Sequence, residues 1–238
     1  MPLAENAIQR LKSLQTLGAP AGGSDPLLWR HACRTAELAR RLGSLRSLSD
    51  VSLDYDALHL AGLAHELGWA LDVGSGRVDR LLVLTRPTTD EQRHAAAEWV
   101  AAELSPWVEP PVLRTAGEII LNIAHRATKQ VEAHLLSEAD SLDVIGPFGV
   151  VLAIRRCAGE GREVDAVVQT WARQQEYHYW EARIRDQLRF ESSRELAWQR
   201  LAAVEPFLQS LGAQLRGEGP ATGRSEATSP LPQKDSGG

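Results

Sequence analysis

Leu60-Ala61-Gly62-Leu63-Ala64-His65-Glu66-Leu67-Gly68 is the stretch whose reading decides the fold. Apart from the adjacent His65 and Glu66, it holds only Leu, Ala and Gly. Leu and Ala favour helix. His65 follows Ala61 by four residues, so its imidazole falls on or beside an apolar face. A buried imidazole or carboxylate needs a partner, because losing water without replacement is costly. Neighbours on a helix point about 100° apart, so His65 and Glu66 reach one centre only across a corner.

The same arrangement recurs on either side. His31 follows Leu27 by four and Leu28 by three, with Thr35 a turn further on. His125 follows Leu121 by four, and Asp140 follows Leu136 by four beside Ala139. His94 begins a face continued by Ala97 and Ala101. An isolated histidine is more often a surface or packing residue than a ligand. Several on apolar faces, together with two acids, point to one shared centre. A divalent ion at their meeting point would satisfy them all, and imidazole with carboxylate suits zinc, manganese or iron.

The surrounding periodicity is helical throughout. The spacing predicts helices over 3–17, from an Asp25 cap to about Leu42, over 53–67, from Thr89 or Asp90 to Leu104, and over 112–127 and 131–143. Residues 68–76 read as a turn, and 77–84 as either a short helix or an irregular apolar piece. Further helices are expected over 150–158, as one long element over 163–190, and over 192–211. From Gly217 the composition shifts to Gly, Pro, Ser and Thr, as in a disordered tail. The partition is thus an N-terminal helix and linker (1–24), a helical domain (25–211) and a tail (212–238).

The composition is 43% hydrophobic and 24% charged, ordinary for a soluble globular protein. Net charge is -5 with no basic arm, so nucleic acid is not an expected partner. No run reaches the roughly 18 apolar residues of a membrane span. Cys33 and Cys157 fit no thiolate metal motif. A cytoplasmic protein without disulfides is the expectation.

His31, then the His65-Glu66 pair, then Asp140 resembles the metal-binding signature of the HD-domain superfamily. That signature ordinarily reads His-Asp, and here glutamate replaces the aspartate. Arg93-His94-Ala95-Ala96-Ala97 and Ile119-Ile120-Leu121-Asn122-Ile123-Ala124-His125 look like the family's two following histidine segments. Glu138-Ala139-Asp140-Ser141-Leu142-Asp143-Val144-Ile145-Gly146, with Gly149, is similar to the acidic segment of a subgroup of HD hydrolases. The resemblance covers about residues 25–155, and more weakly the helices to 211.

The resemblance implies an all-α HD-domain bundle with additional C-terminal helices. It implies a metal-dependent phosphohydrolase acting on a small phosphate ester, a nucleotide among the candidates, through a metal-activated water. His31, His65, Glu66 and Asp140 would hold the principal ion. That ion would be manganese, iron, zinc or magnesium, with room in the scheme for a second. Glu66, His94 and His125 would serve catalysis, the two histidines by binding a second metal or the phosphate. The alternative is a catalytically degenerate module that binds a nucleotide or a protein partner.

Phosphate-binding arginines are not fixed by the motif. Gly68-Trp69-Ala70-Leu71 supplies none, leaving Arg77, Arg80 or Arg86 to enter from the loop, with Arg155 and Arg156 later. Trp29 and Trp69, close in sequence to His31 and His65, are candidates to wall a substrate pocket. The arginines from Arg183 to Arg200 read mainly as a solvated helix face, with a homodimer surface as the sharper alternative.

Overall fold

The computed structural model describes residues 3–19 and 22–218. Eleven α-helices account for nearly all the regular structure among them: α1 (Glu5–Gln15), α2 (Leu27–Gly43), α3 (Tyr55–Ala64), α4 (Leu67–Gly74), α5 (Asp90–Glu103), α6 (Pro110–Asn122), α7 (Val131–Val144), α8 (Pro147–Gly159), α9 (Asp165–Glu176), α10 (Tyr179–Gln187) and α11 (Glu191–Leu215). A two-residue antiparallel ladder, β1 (Leu17–Gly18) with β2 (Ser24–Asp25), ties α1 to α2. None of the described helices is long and apolar enough to cross a membrane. Both cysteines are free.

The main core is built by α2, α3, α5, α6 and α7. Leu58, Leu60, Leu67, Ile119, Ile120 and Leu136 are wholly buried in it. Helix α1 joins it through Ala7 and Leu11. Gly62 lets α2 and α3 approach closely, since a Cβ there would strike the Cα of Ala36. That approach brings His31 of α2 beside His65. Thr89 caps α5 by accepting from the Gln92 N–H, while the Gln92 side chain accepts from the Thr89 N–H.

The C-terminal helices have smaller cores of their own. One joins Leu142 and Ile145 to Trp180, Ile184, Ala197 and Leu201. Another joins Val150 and Cys157 of α8 to Val167 of α9 and Val204 and Leu208 of α11. Buried Glu138 links this half to the main core by accepting from the N–H groups of Arg189 and Phe190, just ahead of α11.

Three sequence expectations change and one undecided segment is resolved. Most of the expected turn over 68–76 is helix: the chain restarts at Leu67 as α4, which packs on α5, where a Cβ on Gly68 would collide with the Gln92 carbonyl, and only Ser75 and Gly76 turn. The undecided segment 77–84 holds a single 3-10 turn over Arg80–Leu82, capped by Asp79. The long helix over 163–190 is two helices, because His178 adopts a left-handed backbone (φ 50°) between α9 and α10. That break lets Trp180 fold back to within 5.9 Å of Trp171. Helix α11 continues to Leu215, beyond the expected boundary at 211. Residues 219–238 of the expected tail lie outside the described residues.

Candidate metal centre

The His65-Glu66 pair stands at the corner its adjacency requires. His65 ends α3 and Glu66 precedes α4, so the change of direction between the helices aims both side chains at one point. His31 from α2 and Asp140 from α7 meet them there. One donor atom from each of the four lies within 4.8 Å of the others. His31 Nε2 is 3.3 Å and His65 Nε2 3.6 Å from Asp140 Oδ1, and His65 Nε2 is 3.9 Å from Glu66 Oε1.

The donor set fits a divalent cation. Both Nε2 atoms are buried, and neither has a hydrogen-bond partner. The other ring nitrogen of each histidine is engaged. His65 Nδ1 lies 2.9 Å from the Gly62 carbonyl, which can only accept, so the proton sits on Nδ1 and Nε2 presents its lone pair. His31 Nδ1 lies 2.7 Å from Asp143 Oδ2. Asp143 in turn accepts two hydrogen bonds from Arg34, at 2.7 and 2.8 Å. Carboxylates behind ligating histidines fix ring orientation and raise basicity in this way. Phe148 stacks nearly parallel to His31, and the Arg34 guanidinium lies over the Phe148 ring. Asp140 and Asp143 serve one imidazole because they stand three apart on α7.

Titratable groups are concentrated here. Burial works against a charged His31, but the contacts with Asp140 and Asp143 overcome it and raise its pKa to about 9. Burial likewise opposes ionised Asp140, yet the two histidines hold its carboxyl well below the usual range. Burial and the neighbouring Asp140 charge push Glu66 up. Glu66 is tied from the opposite side: the Thr88 hydroxyl donates to Oε2, and the Trp69 indole N–H donates to Thr88 Oγ1 at 3.0 Å.

Asp140 is one-third exposed and faces a cavity of about 800 Å³ that His65 and Glu66 also line. His125 is exposed on its wall. His94 is exposed on α5 and is not among the lining residues; its Nδ1 turns back to the Asp90 carbonyl at 2.8 Å. The buried face of α5 runs through Arg93, Ala96 and Val100 rather than through His94, Ala97 and Ala101. An alanine-rich helix gives little contrast between its faces, which is why the pattern pointed to the wrong one.

The rest of the wall comes from the C-terminal helices and from the segments that carry Arg86 and Arg126. Arg86, Arg126, Arg173, Arg183 and Arg189 line the cavity, and among the described residues none is within ion-pair distance of a carboxylate. Arg156 lines it too, paired with Glu160. Part-buried Arg183 on α10 and exposed Arg189 just after it thus face this cavity, which the solvated-face reading did not distinguish from bulk solvent. Arg77 and Arg80 are held by Asp72 and Asp25, and Arg155 also by Asp25. Trp69 is wholly buried and Trp29 packs against the main core, so neither walls the cavity; Trp171 and Trp180 do.

No family model matches the sequence, and no curated protein does. Solved structures do. Bacillus subtilis YpgQ superposes with a TM-score of 0.54 at 18% identity, over 90% of this chain and 96% of that one. An HD-superfamily hydrolase from Bacillus thuringiensis gives 0.51 at 18% identity, over 89% and 96%. The fold is that of an HD domain. A further YpgQ structure, in complex with ADP, matches equally well, with a TM-score of 0.54 over 90% of this chain and 99% of that one. On this fold the chain brings buried His31, His65 and Glu66 together with part-exposed Asp140.

Proposed function

We infer that this HD domain is a metal-dependent phosphohydrolase acting on a small phosphate ester, nucleotides included. One observation carries the inference: a buried cluster of two imidazoles and two carboxylates opens, through Asp140, onto a cavity walled by arginines. The binding of ADP by YpgQ, which shares the fold, supports a nucleotide ligand.

His31, His65, Glu66 and Asp140 would hold the ion. A divalent cation there supplies a Lewis acid and acidifies water. The chain's own groups do the rest. Asp143 and Gly62 fix the two imidazoles so that both Nε2 atoms face the centre. Glu66, held by the Thr88 hydroxyl, would present its other oxygen to the ion. The unpaired arginines bind and orient the phosphate oxygens, because guanidinium matches them in charge and geometry. His125 is on the cavity wall and takes the phosphate contact; His94 is not. Trp171 and Trp180 offer aromatic faces to a base or another flat group.

The test is phosphate release from monoesters, cyclic nucleotides and nucleoside polyphosphates with added manganese, iron, zinc or magnesium, run beside Asp140→Ala. Hydrolysis by the wild type that disappears in the variant supports the enzyme. Binding of metal and nucleotide without hydrolysis of any substrate would overturn it in favour of a binding module.

A further inference from the structure

Glu66 differs from the other three cluster residues in how it is held. Its side chain is one methylene longer than the aspartate of the family signature, and an added torsion gives the carboxylate more positions to occupy. In this chain that freedom is removed by a directional relay. The Trp69 indole can only donate, and it donates to Thr88 Oγ1. The Thr88 hydroxyl proton is therefore free to point at Glu66 Oε2, which accepts it. Oε1, the oxygen nearer His65, is left facing the cluster.

The relay is anchored at both ends. Trp69 is wholly buried among Leu17, Leu28 and Val83. The Thr88 carbonyl accepts from Arg93 Nη1 at 2.6 Å, and the next residue, Thr89, is the cap of α5. Thr88 is thus fixed by the start of α5, and Trp69 by α4, while Glu66 lies at the corner preceding α4. The sequence from Pro87 to Thr89 belongs to none of the metal-binding motifs, so the motif pattern gives no reason to single out Thr88.

The geometry points to Thr88 as a positioning residue that makes Glu66 a one-oxygen ligand, so that the longer side chain still serves a site shaped for aspartate. This rests on the metal-binding reading above, and it names a residue that the four-ligand cluster does not contain. Thr88 is not one of the four clustered donors, although it also lines the cavity. Its influence passes through Glu66 Oε2, and the Trp69 N–H sets the direction of the hydroxyl proton.

The experiment is a double-mutant cycle read by Mn²⁺ affinity of metal-stripped, untagged full-length protein, using titration calorimetry, with the thermal midpoint recorded for each variant. Removing an outer hydrogen-bond partner of a ligand weakens metal binding by roughly ten- to a hundredfold. That loss is expected for Thr88→Val, and Thr88→Ser should restore the affinity because it keeps the hydroxyl. In Glu66→Asp the shorter carboxylate no longer reaches Thr88, so adding Thr88→Val should change the affinity less than twofold. An equal loss in both backgrounds would overturn the proposal by showing a general effect on the loop. Wild-type affinity unchanged by Thr88→Val would overturn it while leaving the metal centre standing. No Mn²⁺ binding by the wild type would overturn the metal reading and this proposal together.

Discussion

The two sides of the cavity are made by different means. On the side of α2, α3 and α7, polar residues emerge from apolar helices, and each functional group is fixed by a partner behind it. His31 has Asp143, His65 has the Gly62 carbonyl and Glu66 has Thr88. On the side of α9, α10 and the approach to α11, long arginines stand on mostly polar helices and reach the cavity from several directions. The first side is pre-organised for an ion of fixed geometry. The second is adaptable, as suits the reading of a variable organic group. Changes on the first side should therefore act on metal binding and turnover together, and changes on the second on substrate affinity alone.

The largest effect should come from the cluster itself. Asp140→Ala removes the carboxylate nearest both Nε2 atoms. It should abolish ion retention and lower phosphate-ester turnover on the order of a thousandfold or more, equivalent to several kcal/mol of lost transition-state stabilisation. Metal content and steady-state kinetics of the same preparation check this. A variant that kept the ion and full turnover would break the comparison at its root.

Next is the support behind His31. Asp143→Asn keeps the shape but weakens the acceptor for His31 Nδ1 and the partner of Arg34. Metal affinity should fall by roughly ten- to a hundredfold. Competition with a fluorescent chelator measures it, and restoration at saturating metal would confirm that the chemistry itself is intact.

The arginine wall should behave differently. Arg183→Ala or Arg173→Ala should each raise KM for a phosphorylated substrate roughly tenfold, the scale of one charge-assisted hydrogen bond. Metal affinity and kcat should stay close to wild type. A matching fall in metal affinity would erase the distinction between the two walls.

The smallest effect is on stability against pH. His31 has its pKa raised to about 9 from 6.5 in the metal-free protein, chiefly by Asp140 and Asp143 acting against burial. A raised histidine stabilises the fold fully below its unfolded value and loses that contribution as pH climbs through the folded one. The chelated protein should therefore lose stability from about pH 6.5 to 9. Metal binding needs that proton gone, so affinity for the ion should rise over the same window. Thermal midpoints of chelated and metal-loaded protein across this range separate the two trends.

The same contrast explains what the sequence made legible. His31, His65 and Asp140 were readable because a polar residue on an apolar helical face is expensive unless something meets it. The corner between α3 and α4 was implied by the adjacency of His65 and Glu66, although the helix after it was not. Gly68 and Gly74 make α4 look like a turn, and only its packing on α5 explains Gly68. Asp143 was visible in the acidic motif, but its role behind His31 needed the three-residue spacing on α7 to be set against α2. Arg173, Arg183 and Arg189 could not be placed, because a cation facing a cavity and one facing solvent have the same pattern in sequence. The break at His178 carries no glycine or proline, and it arises where Trp180 packs against Trp171. Thr88 gave no signal, since a threonine next to a helix cap is ordinary.

The central claim is that His31, His65, Glu66 and Asp140 form one metal centre. Its most direct test is the stoichiometry of Mn²⁺ binding to untagged, metal-stripped protein, measured beside His65→Ala. The account predicts a saturable high-affinity site with at least one ion per chain in the wild type, and loss of that site in the variant. A wild type that binds no ion, or a His65→Ala protein that binds as tightly as the wild type, would contradict it.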